Sequence, residues 1–325
     1  MRSSIVRWGV IGPGDVVEHK SGPALQSVPG SELLAVAGRT PSRTEDFARR
    51  HGVPRWYATP GELLADPEVD AVYVATPPGS HPDYAIAAAE AGKHVYVEKP
   101  MARTGAECEA MIEAAERAVV GLYVAYYRRA LPRFVAAEQA VRQGRLGDLR
   151  SVELRLQHVQ SGGGGWRLDP QTSGGGLFVD VGSHTLDWLD LLLGALSVVV
   201  SRVDGGPAES SVDVALVSPT GVTVRGRWRF DATEHADEIT VVGAAGTLRM
   251  SAFGTDEPVL TDGAREETLE VGAAPAVVQQ PLIANVVAAI RGEAEPLSTG
   301  RTAARTSHLM DDVLAEHRAR HHLVF

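Results

Sequence analysis

The amino-acid sequence predicts an α/β protein in which a doubly wound parallel sheet is followed by an α+β domain with an open, mostly antiparallel sheet. In the first part, short β-rich runs alternate with Ala-rich helical stretches, which is typical of βαβ units. After Gly121 this rhythm stops, and strand-like runs follow one another. The chain of 325 residues exceeds one ordinary core, so we expect two domains, residues 1–121 and 122–325.

Each element follows from its local pattern. In the first domain we expect strands at residues 6–11, 33–37, 71–75 and 94–97, and helices at 83–91 and 105–118. In the second we expect a helix at 132–143, strands at 151–159, 211–217, 222–230 and 238–243, and helices at 282–290 and 302–318. Pro219, Thr220 and Gly221 predict a hairpin turn between two of these strands. One face of that sheet must pack on helices or on another subunit to stay out of water.

Composition and charge exclude several classes of protein. The 31 Lys and Arg residues are outnumbered by 41 Asp and Glu, and the net charge of −10 argues against a nucleic-acid partner or an anionic membrane surface. The most apolar window, residues 186–200, contains Asp187 and Asp190, which favours a buried helix and a strand over a membrane span. Cys108 is the only cysteine, which excludes a disulfide framework within one chain. With no targeting signal visible, we expect a cytoplasmic protein.

The first strand runs into a glycine turn. In "WGVIGPGDVV", Gly12 and Gly14 lie between an apolar strand and a predicted helix, where backbone N–H groups can bind a pyrophosphate. A plain strand-to-helix turn is the alternative. Val17 stands where a Gly or Ala is usual, and a β-branched residue there is expected to push the helix away from the strand. The predicted cofactor contacts in this turn are Gly12, Pro13, Gly14, Asp15 and Val16.

The end of the second strand predicts which nicotinamide cofactor is bound. An NAD site usually carries an acidic residue about 20 residues after the glycine turn. Here the strand ends in Gly38, Arg39 and Thr40, and Arg43 follows one turn later. Planar guanidinium groups suit a 2′-phosphate, so we favour NADP over NAD. Solvated surface arginines are the alternative.

The stretch "KHVYVEKPM" ends a predicted strand with an acid, a base and a proline. Pro100 disfavours helical geometry at the preceding residue, so Lys99 is expected to be extended at the carboxyl end of the strand. There its ammonium group can point at a substrate oxygen, while Glu98 orients the cofactor or Lys99 itself. A solvated strand terminus is the alternative.

A second polar cluster lies in "SGGGLFVDVGSHTLDWLDLLLG". Three glycines allow close backbone approach, and Asp180, His184 and Asp187 share one face if the segment is helical. A histidine suits general base catalysis on a hydroxyl proton. A helix cap beside a buried histidine is the alternative reading. One carboxylate and one imidazole, with no cysteine nearby, supply too few ligands for a metal ion, so we expect no metal.

These motifs, taken in order, resemble one oxidoreductase family. The stretches are "GVIGPGDV", "YVATPPGSHPDYAIAAAEAGKHVYVEKPMA", "YVAYYRRALP", "GRLGDLRSV" and "WRLDPQTSGGGLFVDVGSHTLDWL". The chain resembles the glucose–fructose oxidoreductase, inositol dehydrogenase and rhizopine-catabolism family (Gfo/Idh/MocA) over about the first 200 residues. Beyond Val200 the resemblance is only in the strand pattern.

The resemblance implies a Rossmann domain and a nicotinamide-dependent alcohol–ketone conversion on a sugar or cyclitol. It makes Lys99 the catalytic lysine, completed by Asp180 and His184. It places Thr76, Pro77 and His81 beside the cofactor, and Tyr126, Arg128, Trp166 and Arg167 at the substrate and nicotinamide pocket. Val17 and Arg39 depart from the family pattern.

Our hypothesis from the sequence is that His184 takes a hydroxyl proton while nicotinamide accepts hydride, with Lys99 stabilising the alkoxide. Lys99 and His184 are then expected within contact range of one alcohol. The alternatives are glycosidic cleavage by transient oxidation, a non-catalytic dinucleotide sensor and, least favoured, a metal-dependent hydrolase. Family habit and an exposed sheet face suggest a homodimer or homotetramer. The run from Gly162 to Gly165 is either a mobile flap or a connector.

Overall fold

A computed structural model describes residues 5–157, 165–263 and 265–325. The chain forms two compact units. The first comprises Met1–Tyr127 and Pro275–Ala304, and the second comprises Arg128–Ala274 and Arg305–Phe325. The first unit therefore contains two separate stretches of the chain, the second of which comes from the C-terminal part of the sequence.

The first unit is built on a parallel sheet. Across the described residues the strands are β1 Val6–Ile11, β2 Ser31–Ala37, β3 Arg55–Tyr57, β4 Ala71–Val74, β5 His94–Val97 and β6 Leu122–Val124, in the order β3-β2-β1-β4-β5-β6. The helices are α1 Gly22–Ser27, α2 Pro41–His51, α3 Pro60–Leu64, α4 His81–Glu90 and α5 Gly105–Arg117. The strand order reverses between β1 and β4, and such sheets bind ligands at the carboxyl ends of the strands at this point.

The strands of this sheet are apolar because both of its faces are covered. All four residues of β4 are buried, and β1 has one partly exposed residue among six. The helices begin at side-chain caps where the sequence supplies them: Thr59 and Glu62 form a reciprocal capping box at α3, and Thr104 accepts a hydrogen bond from the backbone of Glu107 at α5. Caps and burial together orient the carboxyl ends of β1, β4 and β5.

The second unit is built on a larger mixed sheet. Its helices are α6 Pro132–Arg142, α7 Pro170–Ser173 and α8 Ser183–Leu193. Its strands are β7 Leu149–Gln157, β8 Ser197–Gly205, β9 Glu209–Val217, β10 Thr223–Arg229, β11 Ala236–Gly243, β12 Thr247–Met250, β13 Val259–Asp262 and β14 Arg265–Thr268, in the order β14-β13-β12-β11-β7-β10-β9-β8. Strands β7 and β10 are parallel, and the other described pairs are antiparallel.

The predicted fold class is confirmed, and most predicted elements lie within two or three residues of the observed ones. The predicted hairpin joins β9 to β10, where Gly221 has a φ of +85° and donates to the Ser218 carbonyl. Strands β3, β6, β12, β13 and β14 were not predicted. The helical run that contains Asp180 is also different from the prediction, because residues Phe178–Gly182 form a π-helix before α8 begins.

Two helices complete the chain, α9 Gln280–Ile290 in the first unit and α10 Gly300–Arg320, whose residues are divided between the units at Ala304. Helix α8 is buried along most of its length. Among the described residues, no helix is both long and apolar enough to span a bilayer. Cys108 is buried in α5.

Candidate active site

The glycine turn lies at the carboxyl end of β1. Gly12 has a φ of +86°, and a Cβ atom there would lie 2.7 Å from Cγ2 of Thr76. The Gly12 amide donates to the Ala37 carbonyl at 2.9 Å, and the Gly14 amide donates to the Gly12 carbonyl at 2.8 Å. Only glycine fits at position 12, both because of its conformation and because of this close approach. The structure therefore brings together the glycine turn and Thr76, two segments predicted to line the cofactor.

Val17 is accommodated inside the first helical turn. Its side chain is fully buried, and the backbone of Val17–Ser21 is π-helical before α1 begins at Gly22. A Cβ at Gly22 would lie 2.4 Å from the Val17 carbonyl oxygen, so the next residue that must be small is Gly22. A π-helical turn is wider than an α-helical one and is frequent at functional sites.

A cavity of about 530 Å³ opens beside the glycine turn. Its wall includes Pro13, Gly14 and Asp15 from the turn and Ser42 and Arg43 from α2. Glu18, His19, Asp46, Phe47 and Arg50 complete it. The cavity adjoins the exposed end of the glycine turn, where a dinucleotide phosphate is expected, so the residues present fit such a group.

The predicted arginines have different positions. Arg43 lines the cavity, while Arg39 and Thr40 are exposed between β2 and α2 and are outside the lining. In the portion of the chain that the structure describes, Arg39 and Arg43 have no ion-pair partner. Arg50 is different, because it donates to Glu18, and this contact with the help of His51 lowers the pKa of Glu18 to about 2.

Glu98 is a buried carboxylate at the end of β5. Its Oε1 accepts hydrogen bonds from the Tyr73 hydroxyl and the Gln279 amide, both at 2.6 Å, and its Oε2 accepts from the Lys99 backbone N–H at 3.0 Å. Burial, followed by the Glu98 charge, raises the pKa of Tyr73 and Tyr96 well above the ordinary value. Glu98 therefore fixes the backbone N–H of Lys99 with one oxygen, while its other oxygen is held by the buried side chains of Tyr73 and Gln279.

Gln279 was missed in the sequence. It lies in the segment that returns to the first unit, 181 residues from Glu98. No local pattern marks it as a partner of a strand terminus. Lys99 itself is partly buried, and the Lys99–Pro100 peptide bond is cis.

His81 joins two segments that were both predicted to lie near the cofactor. Its ring is fully buried, with Nε2 2.6 Å from the Thr76 carbonyl and Nδ1 3.1 Å from the carbonyls of Pro100 and Met101. Burial lowers the pKa of His81, which favours the neutral ring. The side chain thus ties the loop of Thr76 and Pro77 to the residues that follow Lys99.

Tyr126 is buried in the apolar core of the first unit, which also contains Val97 and Met101. It was predicted at the substrate pocket. Its backbone amide donates to the Val124 carbonyl at 2.8 Å, a turn of three residues that ends strand β6.

In the second unit, Asp180 and Arg167 form an ion pair. The Arg167 Nε donates to Asp180 Oδ2 at 2.9 Å, and the guanidinium carbon lies 4.5 Å from the centre of the Trp166 ring. The Arg167 side chain is 40% exposed and that of Asp180 is 16% exposed. Three of the predicted site residues are therefore in one cluster, and Asp180 is its least exposed charge.

A second aromatic side chain, Phe253, contacts both the His184 ring and the Arg128 guanidinium. The Arg128 guanidinium carbon is 4.2 Å from the Phe253 ring centre, and the buried His184 ring is 6.1 Å from it, edge to face. The Asp237 carboxylate accepts backbone hydrogen bonds from Ala252, Phe253 and Gly254 at 2.7 to 3.0 Å. Phe253 was missed in the sequence, because it follows the unpredicted strand β12.

Asp187 belongs to a different network from Asp180. It is fully buried and accepts two hydrogen bonds at 2.8 Å from Arg129, which also approaches Asp190 at 3.4 Å. Arg305 donates to Asp190 at 2.7 Å. Burial raises the pKa of Asp187, and the Arg129 charge opposes this. The network anchors helix α8 from the side.

Two further predictions concern metals and the glycine run. Within residues 5–157, 165–263 and 265–325, no group of three or more His, Cys, Asp or Glu side chains is arranged to hold a metal ion. Of the predicted glycine run, residues 162–164 lie outside the described residues, and Gly165 has a φ of +53°.

Family models cover most of the chain. Residues 6–126 match the oxidoreductase family with an NAD-binding Rossmann fold, and residues 134–249 match the GFO/IDH/MocA C-terminal domain.

Individual proteins are similar over nearly the whole length. An oxidoreductase of Formosa agariphila is 33% identical over 316 residues, which cover 95% of this chain and 98% of that protein. The 1,5-anhydro-D-fructose reductase of Ensifer adhaerens is 30% identical over 90% of this chain and 91% of its own. The crystal structure of an aldose-aldose oxidoreductase from Caulobacter crescentus complexed with glycerol superimposes with a TM-score of 0.87 at 26% identity, over 97% and 98% of the two chains.

Proposed function

The chain belongs to the GFO/IDH/MocA family of NAD(P)-binding oxidoreductases, and from that membership we propose that it transfers a hydride between a nicotinamide cofactor and a secondary alcohol or ketone of a sugar or cyclitol. The main support is the placement of Lys99 at the carboxyl end of β5, on the same sheet as the Gly12 turn, with its backbone fixed by Glu98. The names of similar proteins, a 1,5-anhydro-D-fructose reductase and an aldose-aldose oxidoreductase, support the substrate class.

The cofactor is held by residues of the first unit. At Gly12 the left-handed backbone and the contact with Thr76 leave the turn without a side chain, so a phosphate can come close to the backbone. The amides of Gly12 and Gly14 already donate to carbonyls, so the N–H groups that would bind the phosphate are those of Asp15 and Val16, at the start of the helical run that follows. We assign the binding to Gly12, Pro13, Gly14, Asp15, Val16, Arg39, Thr40, Arg43, Thr76, Pro77, His81, Glu98 and Lys99. Bound there, the nicotinamide supplies the hydride acceptor or donor.

Three residues act on the substrate. Lys99 presents its ammonium group to the substrate oxygen and stabilises negative charge there. His184 accepts the hydroxyl proton in oxidation and returns it in reduction. Asp180, oriented by Arg167, binds and orients the substrate, while Trp166 and Arg128 shape its pocket.

The decisive test uses the purified protein with NADP and NAD and a panel of 1,5-anhydro-D-fructose, D-glucose and myo-inositol, read at the absorbance of reduced nicotinamide. Lys99→Ala should lower kcat by about 10²- to 10³-fold and His184→Ala by about 10²- to 10⁴-fold. Cofactor binding should be unchanged in His184→Ala, and in Lys99→Ala it should weaken without being lost, because the other residues assigned to the cofactor remain. Lys20→Ala removes an exposed lysine of the same unit and is the matched control. Near-normal turnover in either variant would refute the assigned roles.

We propose NADP as the preferred cofactor, because Arg43 lines the cavity beside the glycine turn and Arg39, exposed between β2 and α2, has no ion-pair partner among the described residues. At equal saturating concentrations, each tenfold lower Kd stabilises the protein by about 1.4 kcal/mol more, so NADP should raise Tm by more than NAD does. Arg43→Ala should remove most of that difference. Arg49→Ala, an exposed arginine on the same helix, should leave it unchanged. Equal shifts with both cofactors would contradict the preference.

We also propose a homodimer or homotetramer in the reducing cytoplasm. The outward face of the second sheet carries both signs of charge, including Arg155 and Arg225 with Glu153 and Glu238, so a second copy can complement it. Light scattering coupled to size exclusion, with Arg225→Glu as the disrupting variant, tests the assembly. The buried single Cys108 supports the reducing compartment.

A further inference from the structure

Glu209 is a buried acid that contacts the segment carrying the proposed catalytic residues. It is the first residue of β9 and is only 2% exposed. Its Oε2 accepts a hydrogen bond from the Gly176 amide at 2.6 Å, and its Oε1 accepts from the amides of Phe178 at 3.0 Å and Val179 at 3.3 Å. Asp180 follows directly in the chain.

Two glycines make this contact possible. A Cβ at Gly176 would lie 3.0 Å from the backbone N and O of Glu209, and a Cβ at Gly175 would lie 3.1 Å from Glu209 Oε2 and 2.5 Å from Cγ2 of Val179. The sequence predicted close backbone approach at these glycines. The approaching group is the chain's own carboxylate, from a strand about 30 residues away.

The carboxylate fits the electrostatics of a helix start. The first N–H groups of a helical segment have no intrahelical acceptors and carry partial positive charge. Here the helical run is Phe178–Gly182 followed by α8, and three of the amides at its beginning donate to Glu209. Burial raises the pKa of Glu209, while the three N–H donors oppose this shift. Without Glu209 these buried donors would have to find other acceptors.

Glu209 is also well placed to define a backbone position. Its two oxygens receive donors from both sides of Leu177, so they fix the register at which the π-helix begins. Asp180 is the next residue after the last donor, and His184 follows on the first turn of α8. A shift at the start of this run would change where both side chains point.

We propose that Glu209 is a positioning residue for the reaction: its hydrogen bonds to Gly176, Phe178 and Val179 hold the backbone from which Asp180 and His184 project. The inference rests on the proposed function, because it takes the roles of Asp180 and His184 from there. It concerns the orientation of these groups and assigns Glu209 no contact with substrate.

The test is Glu209→Gln in the full-length protein. The amide keeps the shape but has one acceptor oxygen, and its NH2 group faces backbone donors. Misplacement of a catalytic group by about 1 Å can cost about 10²-fold in rate, so we expect kcat on the best substrate of the 1,5-anhydro-D-fructose, D-glucose and myo-inositol panel to fall by more than about tenfold. KM and cofactor affinity should change by less than about twofold, and Glu209→Asp should recover part of kcat.

Hydrogen exchange supplies a readout that does not need turnover. In Glu209→Gln the amides of residues 176–186 should lose protection, while those of the glycine turn in the first unit should keep it. Val212→Ala, a truncation of a fully buried side chain in the same strand, is the control for general destabilisation and should keep both kcat and this protection.

A second variant reaches the same contact from the other side. Gly176→Ala places a methyl group against the backbone N and O of Glu209, so it should push the start of the helical run away from the carboxylate and lower kcat as well. Unchanged kcat and protection in Glu209→Gln would overturn the proposal, as would an equal kcat loss in Val212→Ala. If the unaltered protein turns over no member of the panel, the proposed function fails, while the exchange data still decide whether Glu209 holds the segment.

Discussion

The Arg167 guanidinium and the Asp180 carboxylate form an ion pair, with Nε donating to Oδ2 at 2.9 Å. The sequence predicted substrate binding for Arg167 and catalysis for Asp180, and in the structure these two side chains are hydrogen-bonded to each other. Arg167 is the more exposed partner and also stacks on Trp166. A substrate hydroxyl that contacts Asp180 would therefore meet a carboxylate whose orientation is set by its neighbour.

Arg167→Ala should lower kcat/KM by about 10- to 100-fold, because a hydrogen bond between charged groups contributes about 1.5 to 3 kcal/mol. If Arg167 orients Asp180, the loss is largely in kcat, and Asp180→Asn should add little to it. The measurement is steady-state kinetics with cofactor affinity determined in parallel. Arg142→Ala, which removes an exposed arginine paired with Glu138 in α6, is the control. A change confined to KM would instead make Arg167 a substrate-binding residue that acts independently of Asp180.

Asp187→Ala should destabilise the protein by about 3 to 5 kcal/mol, because it leaves the buried Arg129 charge without its main partner. Urea unfolding measures this, with Asp231→Ala as an exposed control expected within about 0.5 kcal/mol of the unaltered protein. The double variant Arg129→Met with Asp187→Leu removes both charges and should cost less than Asp187→Ala alone. A single-variant effect below about 1 kcal/mol would show that the pair has little structural importance.

Gln279→Leu and Tyr73→Phe should each destabilise the protein by about 1 to 3 kcal/mol, because each removes a donor from the buried Oε1 of Glu98. Since both bonds end on one atom, the effects should not add, and a double-variant cycle should give a coupling above about 0.5 kcal/mol. Thermal or urea unfolding of the four proteins provides the cycle. Strict additivity would mean that the two donors act independently.

The sequence predicts the fold well where the information is local. Strand β5 begins and ends where its alternation predicts, and helix α5 begins at the predicted Gly105 after the Thr104 cap. The parallel pairing of β7 with β10 carries no local signal, because it joins strands that are separated by β8 and β9. The π-helical turns could not be predicted from the hydrophobic periodicity either. Each is only five residues long, which is too short to show a period different from that of an α-helix.

The same distinction applies to the site. Motifs predicted Lys99, Asp180 and His184 as site residues, but the contacts of their neighbouring segments are remote in sequence: Gln279 contacts Glu98, and Glu209 contacts Gly176. Asp187 illustrates the opposite error. Its helical spacing from His184 suggested a shared face at the site, whereas burial beside Arg129 places it in a structural network. Helical spacing predicts which side chains share a face of the helix. It does not predict which residue of another segment, such as Arg129, that face contacts.

Glu18 offers a pH-dependent test of the region beside the glycine turn. Hydrogen bonds from Arg50 and then His51 lower its pKa from 4.5 to about 2. A group whose pKa is lower in the folded state stabilises the fold above its unfolded pKa, and this stabilisation is lost as the pH falls through the folded value. The Arg50 guanidinium stays charged throughout this range, so the loss comes from protonation of Glu18 itself.

Glu18→Gln should therefore reduce the free energy of unfolding by about 1 kcal/mol at pH 7, the upper range for a partly exposed ion pair. Urea titrations between about pH 7 and pH 3 should show the difference from the unaltered protein shrinking below about pH 4.5, toward zero near pH 2. Glu45→Gln, on the exposed face of α2, should show no difference throughout. A deficit in Glu18→Gln that stays constant or grows in acid would mean that the ion pair with Arg50 does not stabilise the fold, because neutralising Glu18 by protonation would then leave the substitution's effect untouched.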